Sequence, residues 1–290
     1  MRIAIMADIH GNHIALEACV EKARKCRAEE FLFLGDYLGE LAYPEKTICL
    51  LEQIRKEFPC TFIRGNKEDY WIDHQKGLHP DWIWEAGSSS TGILQYVYAR
   101  LDDSRIRWFE QMPIVKVMMY PGLPAFVICH GSPWKVNESM REDHSYIDGL
   151  TRKLETELTV CGHFHIQSRY TRNGRTVINP GSVGVPLRSG GKAQFMMLSG
   201  FDGKWEEEFV TLSYDADRAV REMEEERLPE QALQRSCRQR CASARPLSDL
   251  FFHRSNCLNI CSTLPPVIVA EKIIMLIYCK YNQLSLLSPA

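Results

Sequence analysis

Residues 2–25 read RIAIMADIHGNHIALEACVEKARK, and this stretch decides the fold class. Its opening is a short apolar run of the kind that forms a fully buried strand, and the run stops at Asp8. Ile14, Leu16, Cys19, Val20 and Ala23 then fall at near-helical spacing behind Asn12, which predicts a helix capped by Asn12 and ending near Lys25. A second apolar run, FLFL at 31–34, follows and ends in GDYLG. Strand, helix, strand is the crossover unit of a parallel sheet, so the chain reads as α/β.

The pattern recurs along the chain. TFI (61–63) leads into RGN, AFVI (125–128) into CHGSP, LTV (158–160) into CGHFH, and TVI (176–178) into NPGS. Sheets of this class place ligands at the carboxyl ends of their strands, so six polar signatures are expected to converge on one rim. Between Asp69 and Met112 no strand is evident. YWIDHQKGLHPDWIWEAG and ILQYVYARL predict two or three inserted helices overhanging that rim, with Trp82 and Trp84 packed among them. FMML (195–198) and FVTLSY (209–214) flank FDGKW, a hairpin signal with Asp202 and Gly203 at the turn. Asp217 to Arg227 reads as a charged surface helix, and no solenoid repeat is present.

Past about Pro229 the character changes. Residues 232–290 carry seven Lys or Arg against two Asp or Glu, and five of the eleven cysteines. Cys237, Cys241, Cys257 and Cys261 superficially resemble paired zinc ligands, but true sites favour tighter pairs with glycine nearby. This tail is expected to be a poorly ordered or aberrant appendage.

Bulk properties exclude several classes. With 290 residues, 45% of them hydrophobic, the chain can bury a core without staples. A net charge of -2 lacks the positive field that non-specific nucleic-acid or membrane-surface binding requires. The apolar start is too short for a secretory segment, and Val267 to Cys279 is interrupted by Glu271 and Lys272. A cytoplasmic protein with reduced thiols and no membrane span is the expectation.

The signatures carry a coherent chemistry. Asp8 and His10 sit two apart at a strand end, where a period of two would aim both side chains to one face and Ile9 away. His163 and His165 repeat that spacing around Phe164. Asp36 offers two carboxylate oxygens, one for each of two cations. Asn66 offers a carbonyl oxygen and His130 an imidazole, both ordinary ligands for Mn, Fe or Zn. Any one of these alone would be read as a cap, a turn or a satisfied histidine. Together, five strand ends supply enough ligands for two metals with positions left open.

D-x-H, G-D-x-x-G, G-N, H-G and G-H-x-H, in this order, resemble the signature of calcineurin-like metallophosphoesterases over roughly residues 1–231. DIHGNHIALEA, HGSP and NPGSVGVP look like its compact bacterial and archaeal branch. The resemblance implies a four-layer αββα sandwich of two mixed sheets flanked by helices, in a domain spanning 1–231. It implies one divalent metal held by Asp8, His10, Asp36 and His165 and another held by Asp36, Asn66, His130 and His163. Asp36 would bridge, and Asp36, Asn66 and His130 would be catalytic. Mn, Fe or Zn would serve, with Mn expected to support activity in vitro. A water or hydroxide between the metals would attack the phosphorus of a phosphate ester.

A phosphodiesterase is the first expectation. A phosphomonoesterase or protein phosphatase is the alternative, and a non-catalytic scaffold on the same fold is a more distant one. Many relatives read G-N-H-[DE], whereas this chain reads Gly65, Asn66, Lys67, Glu68, which leaves the general acid open. Lys67 is a candidate proton donor or phosphate ligand, against the plainer reading of a solvated lysine. Arg64 and Asn12 are further candidates for binding the phosphate ester, against surface charge and simple capping.

Overall fold

A computed structural model describes residues 1–78 and 89–228. The six apolar runs all form strands: β1 (Arg2–Met6), β2 (Glu30–Phe33), β3 (Cys60–Phe62), β5 (Phe126–Cys129), β6 (Leu158–Cys161) and β8 (Arg175–Asn179). Four more complete the sheets: β4 (Val115–Met118), β7 (Ser168–Arg172), β9 (Ala193–Phe201) and β10 (Lys204–Leu212). Seven helices are described: α1 (His13–Lys25), α2 (Pro44–Glu57), α3 (Asn66–Gln75), α4 (Ser89–Tyr98), α5 (Asp103–Glu110), α6 (Ile147–Lys153) and α7 (Ala216–Glu225). None of the described helices is long and apolar enough to cross a membrane.

The strands divide between two mixed sheets, ordered β10-β9-β1-β2-β3 and β4-β5-β6-β8-β7. Within each, the three strands carrying apolar runs lie parallel, and the hairpin-type strands join them antiparallel. Three apolar clusters explain the layering. Ile3, Ile5, Leu32 and Leu34 face Phe126, Ile128, Val160 and Ile178 and fill the space between the sheets. Ala4, Met6, Phe31 and Phe33, on the opposite face of the first sheet, pack against α1, α2 and the α3–α5 group. Cys129, Cys161 and Val177 pack against Ile147 and Leu150 of α6 on the far side of the second sheet. Both faces of β1, β2, β5 and β6 are therefore buried, which is why these strands read as unbroken apolar runs.

The outcome is the four-layer sandwich of two mixed sheets flanked by helices. The other two edge strands were invisible beforehand for the converse reason. β4 exposes Lys116 and Val117, and β7 buries only Tyr170 fully, so neither carries a continuous apolar signal. The hairpin turns at Asp202 (φ 48°) and Gly203 (φ 71°), both left-handed as a two-residue type I′ loop demands. α7 is the expected charged surface helix, with Asp217, Arg218, Arg221, Glu224 and Glu225 exposed on one side and an apolar face on the other. Ala219, Val220 and Met223 are buried, and Ala219 and Met223 pack with Ile14 of α1. Residues 79–88, with Trp82 and Trp84, lie outside the described residues, as does the tail with its paired cysteines.

Two glycines fix how closely the β2 and β3 ends approach. A Cβ on Gly35 would lie 2.5 Å from the Gly65 nitrogen, and one on Gly65 would lie 2.4 Å from Asp36 Oδ1. Gly65→Ala is expected to destabilise the protein by about 1–3 kcal/mol through overpacking. Gly149→Ala, in α6 with open space around it, is expected to raise stability by up to about 1 kcal/mol. Urea denaturation of both variants checks the contrast.

Candidate metal centre

Every signature loop leaves the carboxyl end of a strand, three from the first sheet and three from the second. The chelating pairs do not sit on strands, however: β1 ends at Met6 and β6 at Cys161. Asp8 (φ 56°), His10 (φ 52°), Asp36 (φ 54°), His163 (φ 74°) and His165 (φ 59°) all adopt left-handed backbone. Alternation of left-handed residues in a tight loop, not strand pleating, brings Asp8 beside His10 and His163 beside His165. Each such residue costs on the order of 1–2 kcal/mol.

Hydrogen bonds offset that strain. The Asp8, His10 and Gly11 N–H groups donate to the carbonyls of Gly35 (3.1 Å), Asp36 (2.9 Å) and Tyr37 (2.8 Å), lacing the β1 and β2 loops together. The NPGS segment braces the other side. Val183 and Gly184 N–H donate to the Ala7 and Asp8 carbonyls, and Ser182 Oγ donates to the Asp8 carbonyl at 2.7 Å. His163 N–H donates to Asp8 Oδ2 at 3.0 Å, linking the second sheet to the first.

All seven candidate ligands come together. On one side, His165 Nε2 lies 3.1 Å from His10 Nε2 and 3.3 Å from Asp8 Oδ1, with Asp36 Oδ2 3.7 Å from His10 Nε2. On the other, Asn66 Oδ1 lies 3.1 Å from His130 Nε2 and 3.0 Å from His163 Nδ1, with Asp36 Oδ1 3.4 Å from His130 Nε2. The two oxygens of Asp36 thus face different groups, whereas a single oxygen of Asp8 approaches His10, His130 and His165. Asp8, His10 and His165, and likewise Asp8, Asp36 and His130, bring donor atoms within 4.8 Å of one another.

The tautomers test whether this set fits a cation. His130 Nδ1 lies 2.6 Å from the Leu34 carbonyl and His165 Nδ1 lies 3.1 Å from the Val185 carbonyl, so each Nδ1 carries the proton. Each Nε2 lone pair is then aimed at carboxylate, amide or imidazole lone pairs. A cation fits such an arrangement, and two imidazole–carboxylate–carbonyl groupings suit divalent metals. The acid–base balance is divided between the rings. Burial and then the neighbouring His165 hold His10 well below the ordinary histidine range, and burial with His130 pushes His163 down to about 3. Burial opposes protonation of His130 and His165 too, but Asp36 and Asp8 raise the former and Asp8 the latter.

Asn12, Arg64 and Lys67 fare differently from the ligands. Asn12 Oδ1 accepts from Ala15 N–H (3.0 Å), and Nδ2 donates to the Gly184 carbonyl and Tyr214 Oη, each at 3.1 Å. Both donor protons are committed and the side chain is buried, so Asn12 caps α1 and leaves nothing for an anion. Arg64 is ion-paired with Asp69 (2.6 Å) and donates to the Glu110 carbonyl. It lines a cavity of about 500 Å³ beside Asn66. Lys67 is not solvated. Its Nζ lies 3.2 Å from Glu40 Oε1, and although burial alone would lower it, Glu40 and Asp36 raise it above the ordinary lysine value.

Glu68 was missed, although its signal was present three residues after Gly65, at the capping-box position of a helix start. Fully buried, its carboxylate accepts from the N–H groups of Asp36, Tyr37 and Gly65, each at 2.9 Å. Burial and the nearby Asp36 charge push it up to about 7 against those three donors. Glu68 thereby clamps the Asp36 loop to the start of α3, where Asn66 sits.

A two-sheet fold whose facing strand ends bring imidazoles and carboxylates together within reach of one another defines a candidate metal-binding site. Residues 1–201 match the model of the calcineurin-like phosphoesterase superfamily domain, and the chain belongs to that family, whose members use divalent metals. It is a hydrolase of phosphoric ester bonds. Protein MJ0912 of Methanocaldococcus jannaschii is 24% identical over 245 residues, covering 79% of this chain and 94% of its own. Hypothetical protein PH1004 of Pyrococcus horikoshii shares the fold with a TM-score of 0.70 at 22% identity, over 80% of this chain and 96% of its own. A metallophosphoesterase of Sphaerobacter thermophilus does so with a TM-score of 0.65 at 22% identity, over 82% and 100%.

Glu68→Gln keeps the size of the side chain but replaces one of the two accepting oxygens by a donor that faces backbone N–H. A loss of about 1–3 kcal/mol in unfolding free energy is expected from the unsatisfied donors. Phosphoesterase activity should fall with it, as Asp36 loses its clamp. Chemical denaturation paired with turnover assays checks both.

Proposed function

We propose that the chain is a dinuclear phosphodiesterase, with one cation held by Asp8, His10, Asp36 and His165 and the other by Asp36, Asn66, His130 and His163. The observation that carries this reading is the pair of locked tautomers. The Leu34 and Val185 carbonyls each hold an imidazole by its Nδ1 and so turn its Nε2 into the cluster, one in each group. Asp36 would bridge, its two oxygens facing the two groups separately. When bound, two divalent cations, Mn being our choice, would lower the pKa of a water and neutralise phosphoryl oxygens.

The protein's own part is to hold the ligands and place the ester. Asp36, Asn66 and His130 would be the catalytic ligands; Asn66 also lines the cavity, and Arg64 stands at its wall. That cavity gives room for a second ester arm, which a monoester lacks. Lys67 acts as a fixed positive charge. Held protonated by Glu40 and Asp36, it is a poor proton donor but stabilises negative charge developing nearby. The functional unit is residues 1–231, with 232–290 dispensable.

Turnover of bis(p-nitrophenyl) phosphate against p-nitrophenyl phosphate with added Mn tests the reading. Preference for the diester is expected, and a monoester preference would reassign the enzyme as a phosphomonoesterase. Asp36→Asn should abolish most activity and lower the metal content from two per chain, since two cations would repel each other without the bridging charge. Full turnover with two metals retained would remove Asp36 from the bridge. Lys67→Ala should slow nitrophenyl and alkyl esters alike, because a fixed charge serves both. Slowing confined to alkyl esters would instead mark Lys67 as the proton donor. A chain ending at Glu230 should keep both metals and activity, as read by metal analysis and the same assay.

A further inference from the structure

The cavity beside Asn66 lies between two built walls. One is a single face of α3, where Asn66, Asp69, Tyr70 and Asp73 recur at helical spacing. The other is the 134–137 segment after β5, with Trp134 and Lys135 in it. That segment is held rigidly. Ser132 Oγ accepts from the N–H groups of Trp134 (3.2 Å) and Lys135 (3.1 Å) and donates to Glu138 Oε2. A Cβ on Gly131 would lie 2.4 Å from the Val136 carbonyl oxygen, so the loop folds tightly back on itself. Its inner end, Asn137, shares the cavity lining with Asn66, whose Oδ1 lies 3.0 Å from His163 Nδ1.

The lining has a definite chemical character. Arg64 and Lys135 balance Asp69 and Asp73, and Arg64 is already paired with Asp69, so the cavity offers no net attraction to a second phosphate. Two aromatic side chains, Tyr70 and Trp134, stand in its walls. Trp134 is 43% exposed, unusually so for a large ring fixed on a rigid loop. A volume of about 500 Å³ falls within the range of small-molecule pockets. The lining also contains polar groups, with Asp69 an acceptor and Lys135 a donor.

Resting on the phosphodiesterase reading, we propose that this cavity receives one arm of the diester, an uncharged, flat, hydrogen-bonding group of nucleobase size. Trp134 and Tyr70 are the specificity-determining residues. The arm stacks on these rings while the phosphate lies at Asn66, so binding of the arm positions the phosphorus over the metal centre.

The test uses the full chain with Mn and two diesters that share the p-nitrophenolate leaving group, methyl p-nitrophenyl phosphate and thymidine 5′-p-nitrophenyl phosphate. The quantity read is the ratio of their kcat/KM values. Stacking on aromatic rings of this kind predicts a preference for the thymidine ester of roughly tenfold or more. Trp134→Ala should collapse that ratio towards one, and Trp134→Phe should restore most of it; Tyr70→Leu gives a second, independent reading. A wild-type ratio near one, or a ratio indifferent to both the Trp134 and Tyr70 substitutions, overturns the proposal. Failure to hydrolyse either ester would instead overturn the phosphodiesterase reading on which it rests.

Discussion

The structure is organised around a repulsion. Two carboxylates, four imidazoles and an amide oxygen point their lone pairs into one small, largely buried space, where the low dielectric magnifies every unfavourable contact. Such a cluster cannot exist on hydrophobic packing alone, because burial favours apolar groups and penalises each of these. It persists because the ligands are over-determined from behind. Backbone carbonyls grip the rings of His130 and His165, the His163 N–H grips Asp8, and Glu68 grips the Asp36 loop. The core clusters on either face of both sheets make those grips rigid.

Much of this was legible in the residues, because buried parallel strands have to be apolar on both faces and therefore announce themselves. All six runs became strands, and the polar residues following them lie where parallel strands place ligands. Legibility failed where one side of an element meets water. β4 and β7 mix buried and exposed residues over four or five positions, too few for a period to stand out from noise. Helix α2 went unread although Pro44 opens it, because its apolar positions are spaced among charges and its N-cap, Tyr43, is a left-handed residue with no capping side chain. The division of the strands between two sheets also left no local mark, since apolar runs look alike whichever partner they meet; only the family resemblance anticipated it.

The site shows the same division between what pattern reveals and what only packing decides. The seven candidate positions were chosen by residue type and order and the structure brings them together, but the backbone that aims them was not foreseen. Left-handed backbone at five of the seven ligands does what a strand's pleat was expected to do, and nothing in a D-x-H or H-x-H spacing distinguishes the two. Asn12 illustrates the cost of reading a helix start as an anion site. Its cap and its two donated bonds commit every polar atom, so proximity to the metal centre gives it no spare chemistry. Lys67 moved the other way, from an expected solvated residue to a cation held against Glu40 close to Asp36, where its charge is felt.

These constraints tie catalysis to stability. The β1 loop is hydrogen-bonded to the β2 loop on one side and to the NPGS segment on the other, while its Asp8 carboxylate receives the His163 N–H from the second sheet. A strained, lone-pair-rich hub at the junction of two sheets transmits whatever happens to its charge directly into the packing between them. Cations that satisfy the lone pairs relieve the repulsion, and because they bind only the folded arrangement they stabilise it by mass action. Ordinary enzymes of this size can separate the residues that fold the chain from those that act on substrate. On the proposed dinuclear reading Asp8 and Asp36 belong to both sets, and the glycines at 35 and 65 are required by the same close approach that brings the two Asp36 oxygens within reach of both groups.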